Sequence, residues 1–262
     1  MAPRPTRSLK HEYELYLELE IENYKESIPR SALLGIGDEA VSSLTQQAQL
    51  ALTELLLCEE VDRIIVRRLR LPTYNTWRRK RVKLVAELRR PEHWGLRPDD
   101  ALVRAVQPAA ERQVLVADAG DDVAPLYLAA NGCDVTTIAP EIEPLERVME
   151  AAIHAGLAER VHAHVGDLAS WTPHSPLHAV IVNPAALEGL STSERGRVID
   201  LLQSATTNGG IHLVRTLAGS ARSGSALSLD ELRTRYRGWD VKVERADGSG
   251  RGKTFLAKKG AA

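Results

Sequence analysis

Val114-Leu115-Val116-Ala117-Asp118-Ala119-Gly120-Asp121-Asp122-Val123 reads as a buried strand that runs through a short acidic loop into a helix. A brief apolar run of this kind, bounded by turn-forming residues, has the character of a strand covered on both faces. The next stretch, Leu126-Tyr127-Leu128-Ala129-Ala130-Asn131-Gly132-Cys133-Asp134-Val135, continues as a helix, a glycine stop and a second strand. A loop joining such a strand to such a helix is where nucleotide-binding folds place glycines. Here aspartates stand where two of those glycines are expected.

The same grammar extends to the end of the chain. Further strands are expected at Val161 to Gly166, Ala179 to Asn183, Gly210 to Thr216, Asp240 to Glu244 and Thr254 to Lys258, after Val114 to Asp118 and Asp134 to Ala139. Helical segments separate the first five, notably Ile142 to Gly156 and Ser191 to Thr207. Strands alternating with helices imply parallel pairing by crossovers and a doubly wound α/β sheet. The last two strands flank Ala246-Asp247-Gly248-Ser249-Gly250, so they should pair antiparallel at one edge.

Before about residue 105 the chain is nearly free of glycine and reads as helices. Ser8 is placed to cap a first helix in which Tyr13, Leu17, Ile21 and Tyr24 share a face, and Pro29 ends it. Tyr13, Leu15, Leu17, Leu19 and Ile21 also alternate as a strand would, and the abundance of Glu and Leu favours the helix. From Gly37 to about Leu69 helical spacing persists, a rod of roughly 45 Å if unbroken. Thr73 is positioned to cap a third helix containing Trp77, Leu84, Val85 and Leu88, stopped by Pro91. The division expected is a helical region over 1–105 and a Rossmann-like domain over 106–262.

Composition narrows the functional classes. The net charge is -1 and 44% of the residues are hydrophobic, a globular profile without the overall basicity of a nucleic-acid-binding domain. The charge is uneven, however: Arg63 to Arg90 holds eleven basic residues and one acid, Glu87. Arg78, Arg79, Lys80 and Lys83 are the candidate polyanion contacts, and pairing with the glutamates of the first helix is the alternative. The 26 arginines against 8 lysines fit a GC-rich bacterial coding sequence. The N-terminus lacks the apolar core of a signal peptide, and the uncharged span Leu168 to Leu187 is broken by prolines, so neither export nor a membrane helix is expected. Two cysteines, Cys58 and Cys133, suit a reducing cytoplasm.

The seven-strand layout, with a helix at Ser228 to Tyr236 before the final hairpin, resembles that of class I S-adenosylmethionine-dependent methyltransferases. Within that superfamily it looks most similar to the tellurite-resistance methyltransferases, through Leu126 to Gly132 and through Glu231-Leu232-Arg233 with Tyr236, Gly238 and Trp239. The likeness covers about Arg112 to Lys259. It implies a Rossmann-like seven-stranded sheet with an antiparallel last strand, preceded here by an all-helical extension.

The resemblance also implies a cofactor set, and this chain departs from its pattern. The family's first-strand acid falls on Val116, and its three loop glycines fall on Asp118, Gly120 and Asp122. The carboxylate that holds the ribose falls on Ala139, with Glu141 the nearest substitute. Asp167 takes the place of the residue that accepts from the adenine amino group, and Leu168 the place of its backbone donor. Asn183-Pro184 echoes the motif by which amino-methylating enzymes hold a planar nitrogen, without the second proline or the aromatic. The implied S-adenosylmethionine contacts are therefore Gly120, Asp118, Glu141, Asp167, Leu168 and Asn183.

No metal site is expected. Asp118, Asp121 and Asp122 are not read as a cation site, since Asp121 or Asp122 is better read as the cap of the following helix, and His162 and His164 lack a third ligand. Two functions stay open. One is methyl transfer to a small-molecule acceptor. The other is a pseudoenzyme, in which the fold serves as a binding or assembly module that dimerises or docks a protein partner through its N-terminal helices.

Overall fold

The protein is seen in a computed structural model that describes residues 8–45, 54–106, 111–117, 123–187, 189–216, 227–245 and 253–260. The loop Asp118 to Asp122 lies outside the described residues, and with it the expectations for Asp118, Gly120 and the helix caps. The chain divides into two compact units, Met1–Leu84 and Val85–Ala262.

In the first unit, helix α1 spans Leu9–Ser27, and the Ser8 hydroxyl accepts from the His11 amide at 3.2 Å. The helical face is the one realised: Ile21 is buried, while Leu19 of the alternating pattern is 61% exposed. Helix α2 (Arg30–Thr45) begins directly after Pro29 and carries Gly35 and Gly37 in its interior, so the second helix starts earlier than the sequence suggests. The long rod is not formed. A separate helix α3 (Glu54–Leu69) packs against α2, and Arg68 pairs with Glu39. In one straight helix those residues would be about 43 Å apart, so the chain reverses between α2 and α3. Ile21, Ile36, Ala40, Ile64 and Ile65 form the core of the three helices. Helix α4 (Tyr74–Leu88) starts just after Thr73.

Glu60 of α3 is a charged side chain within this small core, 2% exposed. The Ser43 hydroxyl donates to it at 3.3 Å, Arg67 donates at 2.9 Å and Arg63 also binds it. Removing only the cations leaves a desolvated carboxylate, whereas replacing the acid by an apolar group of similar size removes that demand. Arg63→Ala/Arg67→Ala should therefore lower the stability of the helical unit by about 1–3 kcal/mol. Glu60→Leu should change it by less than about 1 kcal/mol. Denaturant unfolding followed by helical circular dichroism separates the two, and equal losses would overturn this account.

The second unit takes in the end of α4 and continues with a 3-10 turn, Pro91–Trp94, and helix α5 (Ala101–Ala105), capped by the Asp100 carboxylate at the Leu102 amide. Then follow β1 (Gln113–Ala117), α6 (Val123–Ala130), β2 (Asp134–Ala139), α7 (Ile142–Ala155) and β3 (Val161–Val165). The chain continues through β4 (Leu177–Val182), α8 (Thr192–Ala205), β5 (Thr206–Thr216), α9 (Leu229–Arg235), β6 (Asp240–Arg245) and β7 (Lys253–Lys258). The seven strands form one sheet in the order β3-β2-β1-β4-β5-β7-β6. The first five are parallel, and β7 runs antiparallel to both β5 and β6. The doubly wound sheet and its terminal hairpin are thus as the sequence implies.

Both faces of the sheet are covered, which is why its central strands read as unbroken apolar runs. Val114, Val116, Val135, Ile181 and Leu213 point to one side, where α6, α7 and the segment carrying Leu96, Leu102 and Val106 pack. Leu115, Val180, Val214 and Phe255 point to the other, against residues of α8 and α9. Helix α6 is buried on nearly every side. Helix α7 buries Leu145, Val148 and Ala152 at helical spacing and ends on Gly156, whose φ of 67° is the left-handed cap conformation that glycine accepts without cost. Helix α8 opens with a capping box between Ser191 and Glu194 and ends at Ala205, where β5 starts at once, four residues before the expected Gly210. The buried Thr206 makes that junction by donating its hydroxyl to Leu202 O at 2.6 Å.

Candidate functional site

In an open parallel sheet a ligand binds beyond the carboxyl ends of the strands, at the point where successive strands go to opposite sides of the first. That point lies between β1 and β4 here, since β2 and β3 lie to one side of β1 and β4 and β5 to the other. Backbone bonds hold the strand ends in register just before the site. Gly166 donates to Ala139 O and Asn183 to Ala117 O, each at 2.9 Å.

Glu141 and Asp167 occupy equivalent places on neighbouring strands. Ala139 and Val165 are register partners at the ends of β2 and β3, and each acid lies two residues beyond its partner. Glu141 stands at the N-cap position of α7 but makes no side-chain cap bond, and its carboxylate is exposed. The chain leaves β3 through Gly166, whose φ of 154° favours glycine, and Asp167 follows as an exposed residue. The turn uses the Asp167 carbonyl, which accepts from the Ser170 amide at 3.1 Å and hydroxyl at 3.0 Å. Neither carboxylate is bonded to another described residue. The structure thus brings two free acids together at one corner of the sheet, although they are 26 positions apart in sequence.

The other expected contacts play different parts. Leu168 is 4% exposed, and its side chain belongs to one of the two cores of the sheet. Asn183 accepts the Ala185 amide on Oδ1 at 3.1 Å, an Asx turn that leads into the 3-10 turn Pro184–Leu187. Ala139 is 2% exposed, and Val116 is fully buried. The end of β2 therefore offers a methyl group where a ribose-binding acid would sit. Among the described residues no group of three or more His, Cys, Asp or Glu side chains could hold a metal ion, and His162 and His164 are exposed on the edge strand β3.

The basic segment separates into two sets. Arg63, Arg67, Arg68, Arg81 and Arg90 pair with Glu60, Glu39, Glu12 and Glu87, so α1 supplies only one of these acids, Glu12. Arg78, Arg79, Lys80 and Lys83 are exposed and have no acidic partner among the described residues.

A polar chain inside the second core has no counterpart in the sequence reading. His212 is 1% exposed on β5, with Nδ1 2.6 Å from the Tyr236 hydroxyl and Nε2 2.7 Å from the Thr206 hydroxyl. Because Thr206 gives its only proton to Leu202 O, it must accept from His212 Nε2–H, and in the neutral ring Nδ1 then accepts from the Tyr236 hydroxyl. The neutral imidazole is thereby fixed in one tautomer. Burial, with the nearby Lys259 charge, lowers its pKa to about 3. Lys259 donates to Gln203 O at 2.8 Å and to Thr206 O at 2.6 Å, closing the end of α8, and lies 5.8 Å from the centre of the Trp239 ring. The one signal in the sequence was a lone polar residue in the apolar run Gly210 to Val214.

No protein-family model matches the chain, and no curated protein matches it either. Solved structures do. TehB from Haemophilus influenzae is 15% identical with a TM-score of 0.52, the match covering 64% of this chain and 65% of TehB, just under two thirds of its length. The N-methyltransferase NodS from Bradyrhizobium japonicum is 11% identical with a TM-score of 0.51, covering 61% of this chain and 92% of NodS. Likeness at these identities concerns the fold. The chain contains the class I methyltransferase fold, with its seven-stranded sheet and antiparallel β7.

Proposed function

We propose that the second unit, built on the class I methyltransferase fold, binds S-adenosylmethionine at the carboxyl ends of β1 to β4 and transfers its methyl group to a small-molecule acceptor. The observation that carries this reading is the pair of exposed, unbonded carboxylates of Glu141 and Asp167 at matching places beyond β2 and β3. The residues present fit the adenosine end of that cofactor. Asp167 would accept from the adenine amino group, the Leu168 amide would donate to the ring, and Glu141 would take the ribose hydroxyls in place of the missing acid at Ala139. Asn183, committed to its own turn, would shape the acceptor side through the 3-10 turn that follows it.

When bound, the cofactor supplies a methyl group activated by a sulfonium, and direct displacement needs alignment rather than a protein nucleophile. This chain's task is thus to bind and orient. Cytoplasmic residence belongs to the same reading, since neither Cys58 nor Cys133 is in a disulfide. No described helix is long and apolar enough to cross a membrane.

A second reading rests on the buried Ala139 and Val116 and on the aspartates at 118 and 122: the fold persists without turnover, as a binding module. Calorimetric titration with S-adenosylmethionine and S-adenosylhomocysteine decides between them. Binding is expected, with Asp167→Ala and Glu141→Ala each weakening it by about 10-fold or more, as loss of a charged hydrogen bond should. Absence of heat at millimolar ligand would leave only the module. In either reading we assign the helical unit to association, with a second copy of the chain or with a protein partner.

A further inference from the structure

The ion pairs of the helical unit leave two stripes of like charge on its surface. On α1, Glu14, Glu18, Glu22 and Glu26 recur every fourth residue and all are exposed. Glu22 shares Lys25 with Asp62, and among the described residues Glu14 meets only His11, at 3.7 Å. Glu18 and Glu26 have no cation beside them among the described residues. Like charges four apart on a helix repel, so the stripe disfavours the isolated helix.

Helix α4 carries the opposite arrangement. Tyr74, Trp77, Arg81, Val85 and Leu88 are its more sheltered positions, at helical spacing, with Tyr74 and Trp77 against Tyr13 and Arg81 bonded to Glu12. On its outer side lie the unpaired Arg78, Arg79, Lys80 and Lys83, with Arg79 and Lys83 again four apart. Each stripe borders an exposed aliphatic side chain. Leu19 is 61% exposed, three residues before Glu22, and Val82 is 51% exposed, three after Arg79 and four after Arg78.

We propose that these two stripes are the halves of one interface, and that the acidic face of α1 in one copy of the chain docks on the basic face of α4 in another. Leu19 and Val82 supply the apolar centre and the charges its rim, the arrangement that lets helical pairs select partners. Reciprocal docking about a two-fold axis uses both stripes of both copies and closes the assembly. A nucleic acid fits the basic stripe less well, because residues 8 to 84 hold as many acids as bases, 12 each, and the acidic stripe belongs to the same unit. The proposal rests on assigning the helical unit to association, and it adds the surface and the occupant.

The test is charge reversal with mixing, on the full chain, by size-exclusion with light scattering. The unaltered protein should be a dimer that weakens as salt rises from about 0.05 to about 0.5 M. Glu18→Arg/Glu22→Arg, with two basic faces, and Arg79→Glu/Lys83→Glu, with two acidic faces, should each run as monomers. Mixed one to one, they should form a heterodimer, which simple misfolding of either variant cannot imitate. A dimer indifferent to both reversals would remove this interface while keeping the association reading. A monomeric unaltered protein would remove this interface and leave the association reading only its protein partner. Monomeric protein that binds a DNA or RNA oligonucleotide, lost only on reversing the basic stripe, would assign that stripe to nucleic acid instead.

Discussion

Replacing His212 by glutamine is expected to flatten the acid side of the protein's stability profile. In the folded chain the imidazole has a pKa near 3, against 6.5 for an unhindered histidine. Between those values the unfolded chain holds a proton that the folded chain refuses, so stability is fully present above about pH 6.5 and falls as pH drops toward 3. The slope from one such group approaches about 1.4 kcal/mol per pH unit, and the whole window is worth at most about 5 kcal/mol. The cause is geometric. A protonated ring would need acceptors on both nitrogens, yet Tyr236 donates to one of them, and burial pushes its phenol toward the protonated form. His178, whose Nδ1 accepts the Gln113 amide, is shifted the same way by its own burial.

Carboxylates such as Glu194, held low by its bonds to Ser191, add acid sensitivity of their own below the ordinary carboxylate range. They cancel in the difference between the two proteins. The measurement is urea unfolding at half-unit steps from about pH 7.5 to about 4. His212→Gln should lose stability at neutral pH, through its broken chain to Thr206 and Tyr236, and the gap should shrink steadily below pH 6.5. Parallel profiles would mean that His212 is not held neutral.

Phe255→Ala should cost about 3–5 kcal/mol. This is the only phenylalanine in the chain, and it is fully buried at the middle of β7. Its register partners are Val214 of β5 and Val243 of β6, and the Tyr236 ring lies 5.2 Å away, centre to centre. Truncation would open a cavity that a strand hydrogen-bonded on both sides cannot close. Phe255→Leu, which keeps most of the volume, should cost markedly less. Equilibrium unfolding of both variants checks this, and a loss below about 1 kcal/mol for the alanine would contradict the placement of β7 between β5 and β6.

That placement was partly legible. The turn residues 246 to 250 between two apolar runs announce a hairpin, because turn chemistry acts over a few residues. The capped start of α1 at Ser8, the glycine stop of α7 at Gly156 and the capping box at Ser191 are readable for the same reason. The sequence does not distinguish one long rod over Gly37 to Leu69 from two helices, because periodicity reports a face and not a direction. Two helices whose apolar faces meet carry the same pattern as one continuous helix, and contacts between them, such as Glu39 with Arg68 and Ser43 with Glu60, distinguish the two.

The candidate site divides along the same line. Asp167 was legible from Gly166-Asp167 after a strand, and Glu141 from its place after Ala139. That the two acids stand at matching steps beyond adjacent strands depends on the register of β2 with β3, a pairing between distant segments. The role of His212 is not legible in the sequence because it depends on Thr206, Tyr236 and Lys259, which reach it only through the packing of α8, α9 and the sheet.

By itself, then, the sequence determined the alternation of strands and helices, most of their ends and the doubly wound class of the sheet. Propensity, capping and hydrophobic period are short-range and act on each segment alone. The tertiary structure decided which way α3 turns, which cations keep their charge unpaired, and which acids share a corner. Burial, register and pairing are relations between segments, and they exist only once the chain has closed on itself.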